Sequence, residues 1–328
     1  MTEIYGNDSL LESLRNAACK GQVSHSYILN GADGTGKLLI ARYFARLLQC
    51  TGEEKPCGHC LSCLQALSGH HPDIIEVGHE KPNLFGVDDV RTGINQTVQV
   101  RPYSSPYKVY ILDEAEKMNQ QAQNALLKTI EEPPDYVVIL LLTSNAESFL
   151  ETIRSRCVRL DVRPLPEDFI EELLLRRGAE KQDAVRAARL SGGSLGKTFS
   201  MLESEPFRKM SELTFGILRD PLKLTMKDIH AFLGEMEKLR EETENMFSLM
   251  ELWFRDVMVM KAGKGEALLL FREEQDHIRA QAARMSYAGT NRVFDEISHA
   301  RECLNANVNY ELTLELLLIA VKECAEGR

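Results

Sequence analysis

The sequence predicts an α/β domain with a parallel sheet, followed by an all-α region. In the first half of the 328 residues, short apolar segments alternate with amphipathic helical segments. This alternation is typical of a parallel sheet with helices on both faces. After about Pro164 the strand pattern ends and helical periodicity continues alone. We therefore expect three domains: an α/β domain at 1–163, a small helical domain at 164–205 and a larger all-α domain at 206–328.

Five segments of the first half are predicted to be strands. They are "SYILN", "PDIIEV", "YKVYILDEA", "YVVILLLTSN" and "CVRLDV". The fourth is apolar throughout, as expected for a strand that is buried on both faces of a parallel sheet. Asp8 is expected to cap the first helix. The helix "NQQAQNALLKTIEE" is expected to end before Pro133 and Pro134, because proline cannot continue a helix.

The bulk composition excludes two classes of protein. No apolar run approaches the length of about 18 residues that a membrane span needs, and the N-terminus lacks the pattern of a secretory signal. We therefore expect a cytoplasmic protein without a membrane partner. The net charge of -10 argues against a protein that binds nucleic acid alone, because such binding needs a clustered basic face.

A glycine-rich loop follows the first predicted strand. The stretch "GADGTGK" contains the residues expected to surround phosphates: Gly31, Gly34, Thr35, Gly36 and Lys37. A strand before the loop and a helix after it are the context that a phosphate-binding loop requires. The next position should carry the hydroxyl that binds Mg²⁺, but it is Leu38. The sequence thus predicts a nucleotide-binding fold in which binding of ATP and Mg²⁺ is weakened.

Acidic and polar residues follow the third and fourth strands. Asp113 and Glu114 end the third strand, as in a Walker B motif, where the acids orient Mg²⁺ and the attacking water. Thr143 and Asn145 end the fourth strand, and a polar side chain there could contact a γ-phosphate. An ordinary transition from strand to loop is the favoured interpretation of Thr143 and Asn145 taken alone.

The segment "TIRSRC" carries two arginines beyond the sheet. Arg154 and Arg156 could act in trans on the nucleotide of a neighbouring subunit, as arginine fingers do. The spacing alone favours surface residues or salt bridges instead.

Four cysteines are clustered in "CTGEEKPCGHCLSC". Cys50, Cys57, Cys60 and Cys63 form a plausible tetrahedral thiolate site for a structural zinc ion. An iron–sulfur cluster is the alternative, but its usual C-x₃-C-P continuation is missing. The other four cysteines are predicted to be small buried hydrophobic residues. They are Cys19, Cys157, Cys303 and Cys324.

These motifs together resemble the clamp-loader branch of the AAA+ ATPases. "GADGTGK", the cysteine module, "ILDEAEKMNQQAQNALLKTIEEPP" and "SRC" stand in that family's order. The resemblance is strong from about residue 4 to residue 162 and looser beyond. It implies an AAA+ P-loop domain at 1–163 with the zinc module at 50–63, a three-helix lid and a C-terminal collar. It also implies that Arg156 acts in trans, which reverses the interpretation from spacing.

Within the family, three departures favour a subunit with little or no ATPase activity over a motor subunit. Leu38 replaces the P-loop hydroxyl, Gly196 stands where motor subunits carry the sensor-2 arginine, with Lys197 beside it, and the chain is expected to lack the long extension of tau. Asp113 and Glu114 are retained, so an active gamma-type ATPase is the alternative. A small P-loop kinase and a zinc-stabilised adaptor are more distant alternatives.

The resemblance also implies partners. They are the motor (gamma/tau) and delta subunits of a hetero-pentameric ring and, through the complex, the sliding clamp and primer–template DNA. Which of Arg154 and Arg156 crosses the interface is left open by the sequence.

Overall fold

The computed structural model describes residues 4–79, 84–263, 268–306 and 308–326. The chain divides into two compact units, Met1–Pro166 with Gly193–Gly196 and Glu167–Gly192 with Lys197–Arg328. The first unit contains the predicted α/β domain. The further division of the helical part into a lid at 164–205 and a collar at 206–328 stays a prediction.

A five-stranded parallel sheet forms the centre of the first unit. Its strand order is β2-β3-β4-β1-β5, and every pair of neighbours is parallel. The strands are β1 (Ser26–Asn30), β2 (Ile74–Val77), β3 (Lys108–Leu112), β4 (Val137–Thr143) and β5 (Val158–Asp161). All five predicted strands are therefore confirmed. Because the strands are parallel, the segments that follow β1, β3 and β4 meet at one edge of the sheet, where ligands bind in such folds.

The helices of the first unit cover both faces of the sheet. They are α1 (Asp8–Lys20), α2 (Lys37–Gln49), α3 (Leu61–Leu67), α4 (Val87–Val90), α5 (Gln120–Glu131) and α6 (Glu151–Arg154), with a π-helix at Arg91–Asn95 and 3₁₀ turns at Ala115–Lys117 and Ala146–Ser148. Alternate residues of β4 enter two different cores: Val138 and Leu140 pack on one face, and Ile139 and Leu141 on the other. The continuous apolar run of β4 is thus explained by burial on both faces.

The first helix does not begin as predicted. Asn7, rather than Asp8, occupies the N-cap position, and its side chain makes no capping hydrogen bond. Its amide instead pairs with the backbone of Arg163, donating to the carbonyl oxygen at 3.0 Å and accepting from the N–H at 2.9 Å. Asp8 is the first helical residue, where its charge is favourable for the helix dipole. A tertiary contact across 156 residues therefore decides how this helix begins.

The second unit is helical throughout its described residues. Its helices are α7 (Glu167–Arg176), α8 (Lys181–Leu190), α9 (Leu195–Glu203, which begins in the first unit), α10 (Glu205–Arg219), α11 (Met226–Glu237), α12 (Thr243–Lys261), α13 (Gln275–Arg284), α14 (Tyr287–Asn305) and α15 (Tyr310–Ala325), with 3₁₀ turns at Pro221–Lys223, Arg240–Glu242 and Arg272–Glu274. This confirms the predicted all-α C-terminal region. None of the described helices is long and apolar enough to span a membrane.

Aromatic packing and a few satisfied polar groups organise the core of the second unit. Trp253 is fully buried beside Phe215 and Phe271. The indole N–H of Trp253 donates to the side-chain oxygen of Gln281 at 2.9 Å, which satisfies a polar group that would be costly to bury alone. The buried carboxylate of Asp256 accepts the backbone N–H groups of residues 270 and 271.

The scattered cysteines only partly follow their prediction. Cys324 is buried, Cys157 and Cys303 are partly exposed, and Cys19 is exposed. The apolar residues of α1 form one stripe that ends at Ala18. Cys19 comes one position later and faces solvent. The prediction that Cys19 is buried is therefore wrong.

Candidate functional site

The phosphate-binding loop lies between β1 and α2 at the carboxyl edge of the sheet. Gly34 and Gly36 have φ values of 73° and 91°, a left-handed conformation that favours glycine. Gly36 caps the start of α2. Gly31 passes so close to Val162 that a Cβ at position 31 would lie 2.6 Å from the Val162 carbonyl oxygen. The glycines of the motif are thus required by the backbone, as a phosphate-binding loop demands.

The Lys37 side chain is turned back into its own loop. Its ammonium donates to the carbonyl oxygens of Gly31 at 2.6 Å and Ala32 at 3.1 Å. It also lies 3.5 Å from a carboxylate oxygen of Asp33. Lys37 is nearly buried, so these oxygens replace the water that its charge would otherwise need. A phosphate bound here would have to compete with the oxygens of the loop for Lys37.

Leu38 is part of the hydrophobic core. Its side chain is partly buried and packs against the cluster formed by β1, β4 and α2, which includes Leu29 and Leu142. A leucine offers no oxygen for a metal, so it cannot supply the ligand that a P-loop serine or threonine gives to Mg²⁺. The site would therefore bind the Mg²⁺ complex of ATP with one protein ligand fewer.

Asp113 lies directly after β3, and its carboxyl interacts with the positive charge of Lys37 in the loop. Burial raises the pKa of this carboxyl, although the Glu114 amide and the charge of Lys37 oppose the increase. One oxygen of Asp113 accepts the N–H of Glu114 at 3.0 Å. An acid near Lys37 at this edge is in the position where a Walker B aspartate would orient a metal.

Glu114 is engaged by its neighbours on the same edge. Its carboxylate lies 2.9 Å from a ring nitrogen of His79 and 2.8 Å from the ammonium of Lys117. Hydrogen bonds from Lys117 and His79 lower the pKa of Glu114. The residue has φ 52°, an uncommon conformation for a residue other than glycine. In this conformation the Glu114 side chain contacts both bases and remains 50% exposed.

Thr143 ends β4 beside the loop. It is fully buried, and its hydroxyl oxygen accepts the N–H of Asn145 at 3.0 Å. Its carbonyl oxygen accepts the N–H of Gly31 at 3.0 Å. Thr143 therefore braces the start of the phosphate loop, and its predicted contact with a γ-phosphate stays a prediction.

The segment at Gly193–Gly196 approaches the loop from the other side. The N–H of Gly196 donates to the carbonyl oxygen of Gly34 at 3.2 Å. A Cβ at position 196 would lie 3.2 Å from the Gly34 Cα atom, which is tighter than ordinary van der Waals contact. In this conformation the position expected for a sensor-2 arginine has no room for a side chain without a shift of the loop.

The two arginines after β4 have different surroundings. Arg154 forms an ion pair with Glu147, which also pairs with Arg159 at 3.3 Å. The guanidinium of Arg156 pairs with Glu131 at 3.1 Å and donates to the Thr152 carbonyl oxygen at 3.0 Å. The Arg156 side chain remains 41% exposed. Both arginines are at the surface, since the Arg154 side chain is 36% exposed, but Arg154 belongs to a local ion-pair network, whereas the ion pair of Arg156 is with Glu131.

Gln123 connects α5 to the segment that carries these arginines. It is buried, and its amide donates to the carbonyl oxygens of Met118 and Ser148, each at 3.2 Å. Its side-chain oxygen accepts the N–H of Leu150 at 2.8 Å. Three hydrogen bonds from one buried side chain fix the start of α6 relative to α5.

The four clustered cysteines converge between α2 and α3. The sulfur atoms of Cys50, Cys57, Cys60 and Cys63 all lie within 4.8 Å of one another. Four thiolates around a tetrahedral zinc ion, with Zn–S bonds of about 2.3 Å, are about 3.8 Å apart. The arrangement therefore fits a metal such as zinc with little rearrangement. Gly52 passes so close that a Cβ there would lie 2.8 Å from the Cys57 Cβ.

Backbone amides point at the cysteine sulfurs. The N–H of Cys57 lies 3.3 Å from the Cys50 sulfur, and the N–H groups of Cys60 and Cys63 lie 3.4 Å from the sulfurs of Cys57 and Cys60. Burial opposes ionisation of Cys60, but hydrogen bonds from Thr51 and Cys63 outweigh it and lower its pKa to about 5. Amides directed at sulfur stabilise thiolates, which are the form that binds metal.

His71 and Ser105, near the cysteine module, do not form a catalytic pair. A ring nitrogen of His71 lies 3.2 Å from the Ser105 hydroxyl, but the other nitrogen accepts the backbone N–H of Asp73 at 3.1 Å. The nitrogen near the serine must then carry the proton, so neutral His71 cannot act as a base toward it. His71, like His59 and His70, lies outside the cysteine cluster.

Two family models match most of the chain. A model described as DNA polymerase III, delta subunit, matches residues 6–166, and one described as DNA polymerase III, delta subunit, C terminal, matches residues 220–323. The chain belongs to the family of DNA polymerase III clamp-loader subunits. This confirms the resemblance that the motifs indicated.

Individual relatives include more than one kind of subunit. The DNA polymerase III subunit delta' of Bacillus subtilis is 26% identical in an alignment 322 positions long, which covers 96% of this chain and 95% of the relative. The tau subunit of the same organism is 28% identical in an alignment 348 positions long, which covers 92% of this chain and 61% of the relative. The chain therefore spans less than two thirds of the tau relative.

A solved structure shares the fold. The gamma subunit-related protein of Thermotoga maritima superimposes with a TM-score of 0.51 and 21% sequence identity, covering 96% of this chain and 99% of that chain. At this identity the likeness concerns the fold alone. It agrees with the predicted α/β AAA+ domain followed by helical domains.

Several residues at these sites could not be identified from the sequence. Gln123 and Glu131 stand within the motif "NQQAQNALLKTIEEPP". Nothing in the motif indicates which residues their side chains contact. His79 and Lys117 carried no signal, because their meeting with Glu114 depends on the backbone turn after β3.

Proposed function

We propose that the chain acts as a stator subunit of the delta-prime type in a clamp loader. In this proposal it helps an ATP-driven ring to load the sliding clamp on primed DNA and supplies Arg156 to the ATP of a neighbouring motor subunit. Its partners are gamma/tau and delta subunits in a hetero-pentameric ring, and it works in the cytoplasm. Zinc at the four cysteines has a structural role.

The observation that carries this proposal is the environment of Leu38. The position that should present a metal-binding hydroxyl is instead a partly buried leucine that packs against a hydrophobic cluster of the first unit. The contact of Gly196 with Gly34 supports the same conclusion, because a side chain at position 196 would require a shift of the loop. A chain with these two features is poorly equipped to hydrolyse its own ATP.

The exposure of Arg156 supports the role in trans. Arg156 is half-exposed at the start of the segment before β5, whereas Arg154 is held by Glu147. A guanidinium that reaches solvent can contact a phosphate of another subunit, where it would stabilise the charge on the transferring phosphoryl group. We therefore assign the trans contact to Arg156 rather than Arg154.

The test is DNA-stimulated ATP turnover by the loader assembled from this chain with gamma/tau and delta subunits. Arg156→Ala is expected to reduce turnover severalfold or more, because an arginine finger contributes about 10³–10⁵ at its own site and the other sites of the ring dilute the loss. The matched control is Arg176→Ala, which removes an exposed arginine from the second unit. Turnover that is unchanged by Arg156→Ala would refute the role in trans.

An active gamma-type ATPase is the second candidate, and the retained acids favour it. Asp113 and Glu114 stand at the edge of the sheet near Lys37, and gamma/tau subunits are among the relatives. Equilibrium binding of ATP to the isolated chain, with and without Mg²⁺, separates the two. Tight, Mg²⁺-dependent binding followed by turnover would favour the gamma-type ATPase over the stator.

A further inference from the structure

Glu131 holds the guanidinium of Arg156 at the surface of the first unit. We propose that Glu131 is a positioning residue, which fixes the direction of Arg156 for its contact in trans. This inference rests on the proposed role of Arg156. It adds a second side chain, at the end of α5, to the machinery that acts on the neighbouring nucleotide.

The first argument is the geometry of the pair. One terminal nitrogen of Arg156 lies 3.1 Å from a carboxylate oxygen of Glu131, and the other donates to the Thr152 carbonyl oxygen at 3.0 Å. A guanidinium has five N–H donors. The hydrogen bond to Thr152, a longer one to the Ser155 hydroxyl at 3.4 Å and the ion pair with Glu131 orient the group within the chain. The remaining N–H donors are available to a phosphate of the neighbour. The contact with Glu131 therefore restrains Arg156 without using all its donors.

The second argument is that Glu131 stands on a rigid support. It is the last residue of α5, whose buried face includes Leu126 and Ile130. Gln123, on the same helix, is hydrogen-bonded to Ser148 and Leu150 just before α6. The backbone of α5, which carries Glu131, and the backbone at the start of α6 are therefore held in a fixed relation. The ion pair therefore limits the rotamers of the Arg156 side chain. Supporting residues preorganise functional sites in this way.

The third argument is electrostatic. An acid at the C-terminal end of a helix lies at the negative end of the helix dipole, where it is unfavourable. Glu131 and Glu132 both stand at the end of α5. Arg156 offsets the charge of Glu131, whereas no ion pair of Glu132 is recorded within the part of the chain that the structure describes. An acid at position 131 is therefore unfavourable for the stability of the helix. It is, however, paired with the arginine that the proposed function needs.

Arg154 shows what a purely structural arginine looks like in the same segment. Its partner Glu147 also pairs with Arg159, which in turn pairs with Asp161 at 3.0 Å. That network links the end of β4 to β5. Glu131 has a different role, because its recorded partner is the single half-exposed Arg156.

The experiment is a double-mutant cycle in the assembled loader. Glu131→Gln keeps the shape of the side chain and removes its charge, and Glu132→Gln is the matched control one residue away. We expect Glu131→Gln to lower kcat for DNA-stimulated turnover about two- to fivefold, the scale of an exposed ion pair, with KM for ATP unchanged. Glu132→Gln should have no effect. In the Arg156→Ala background, Glu131→Gln should cause no further loss.

Two further readouts separate positioning from a merely structural role. Glu131→Asp, which restores the charge with a shorter reach, should recover part of the lost kcat. The ratio of wild-type to Glu131→Gln turnover should fall toward one at high salt, because exposed pairs are screened. Thermal unfolding of the isolated chain should be nearly the same for both variants.

The outcomes distinguish this inference from the proposed function. If Arg156→Ala has no effect, the role of Arg156 fails, and the positioning role fails with it. If Arg156→Ala reduces turnover but Glu131→Gln does not, only the positioning role is refuted. An equal loss from Glu131→Gln with and without Arg156 would also refute it, because Glu131 would then act through another group.

Discussion

The phosphate loop and the segment around Arg156 handle a positive charge in opposite ways. Lys37 is nearly buried, and oxygens of its own loop solvate its ammonium. Arg156 is half-exposed, and a surface carboxylate orients its guanidinium. The cationic group that would serve a nucleotide of this chain is turned inward, whereas the one that could serve another subunit faces outward. The difference suggests that the activity of this chain is directed at a neighbour.

The four-cysteine cluster, which we propose binds zinc, gives the largest expected effect. Cys57→Ser combined with Cys60→Ser should abolish metal binding and lower the free energy of unfolding of the first unit by at least about 4 kcal/mol, because structural zinc contributes directly to folding. Metal analysis and urea unfolding measure the two effects. Cys19→Ser, which changes an exposed cysteine outside the cluster, should change neither. Native protein purified without bound zinc would contradict the assignment.

Leu38→Thr would sharpen the comparison by restoring the missing hydroxyl. We expect Mg²⁺ to strengthen ATP binding to this variant on the order of tenfold, the effect of one added contact, but not to strengthen binding to the wild type. The substitution should also cost about 1 kcal/mol of stability, because Leu38 packs on the core. Calorimetric titration with and without Mg²⁺ measures the binding. Leu38→Val is the control, since valine has the shape of threonine but offers no oxygen.

If Leu38→Thr leaves the Mg²⁺ dependence unchanged, the hydroxyl is not what the loop lacks. The contact of Gly196 with Gly34 would then be the better explanation for weak nucleotide binding.

Asp113→Asn should have the smallest effect, on stability and its pH dependence. Burial raises the folded-state pKa of Asp113 above its usual value. The ionised carboxyl therefore costs stability above the folded-state pKa, and the cost disappears as the pH falls below the unfolded-state pKa of about 3.9. The variant should be more stable than the wild type at pH 7, by less than about 1 kcal/mol because the carboxyl is partly exposed and solvent screens its charge.

Urea unfolding at pH 7 and at about pH 3.5 measures this difference. The gain from Asp113→Asn should vanish at the lower pH, and Asp88→Asn, at an exposed carboxyl, should show neither the gain nor its loss. A variant less stable than the wild type at pH 7 would mean that the charge of Lys37 outweighs the burial of Asp113.

Much of the fold could be predicted because local patterns coincide with burial. The apolar run of β4 indicated a strand covered on both faces, and alternate residues do enter two cores. The cysteine spacing indicated a four-sulfur cluster, and the sulfurs converge. In both cases the residues that determine the feature are close together in the sequence.

Features that depend on distant residues could not be predicted. Asn7 reaches Arg163 across 156 residues, so the start of α1 differs from the expected cap. Asn30 donates to Asp161 across 131 residues and accepts the N–H of Ala146, which ties together the ends of three strands. The pairing of Glu131 with Arg156 likewise joins the end of α5 to the turn before β5. Neither periodicity nor motif spacing contains such information.

The central claim is that this chain serves the loader through Arg156 and not through its own phosphate loop. The most direct measurement is DNA-stimulated ATP turnover by two assembled loaders, one with Lys37→Ala and one with Arg156→Ala in this chain. The account predicts that turnover falls with Arg156→Ala and is retained with Lys37→Ala. Turnover that falls with Lys37→Ala and is retained with Arg156→Ala would contradict it and identify the chain as a motor subunit.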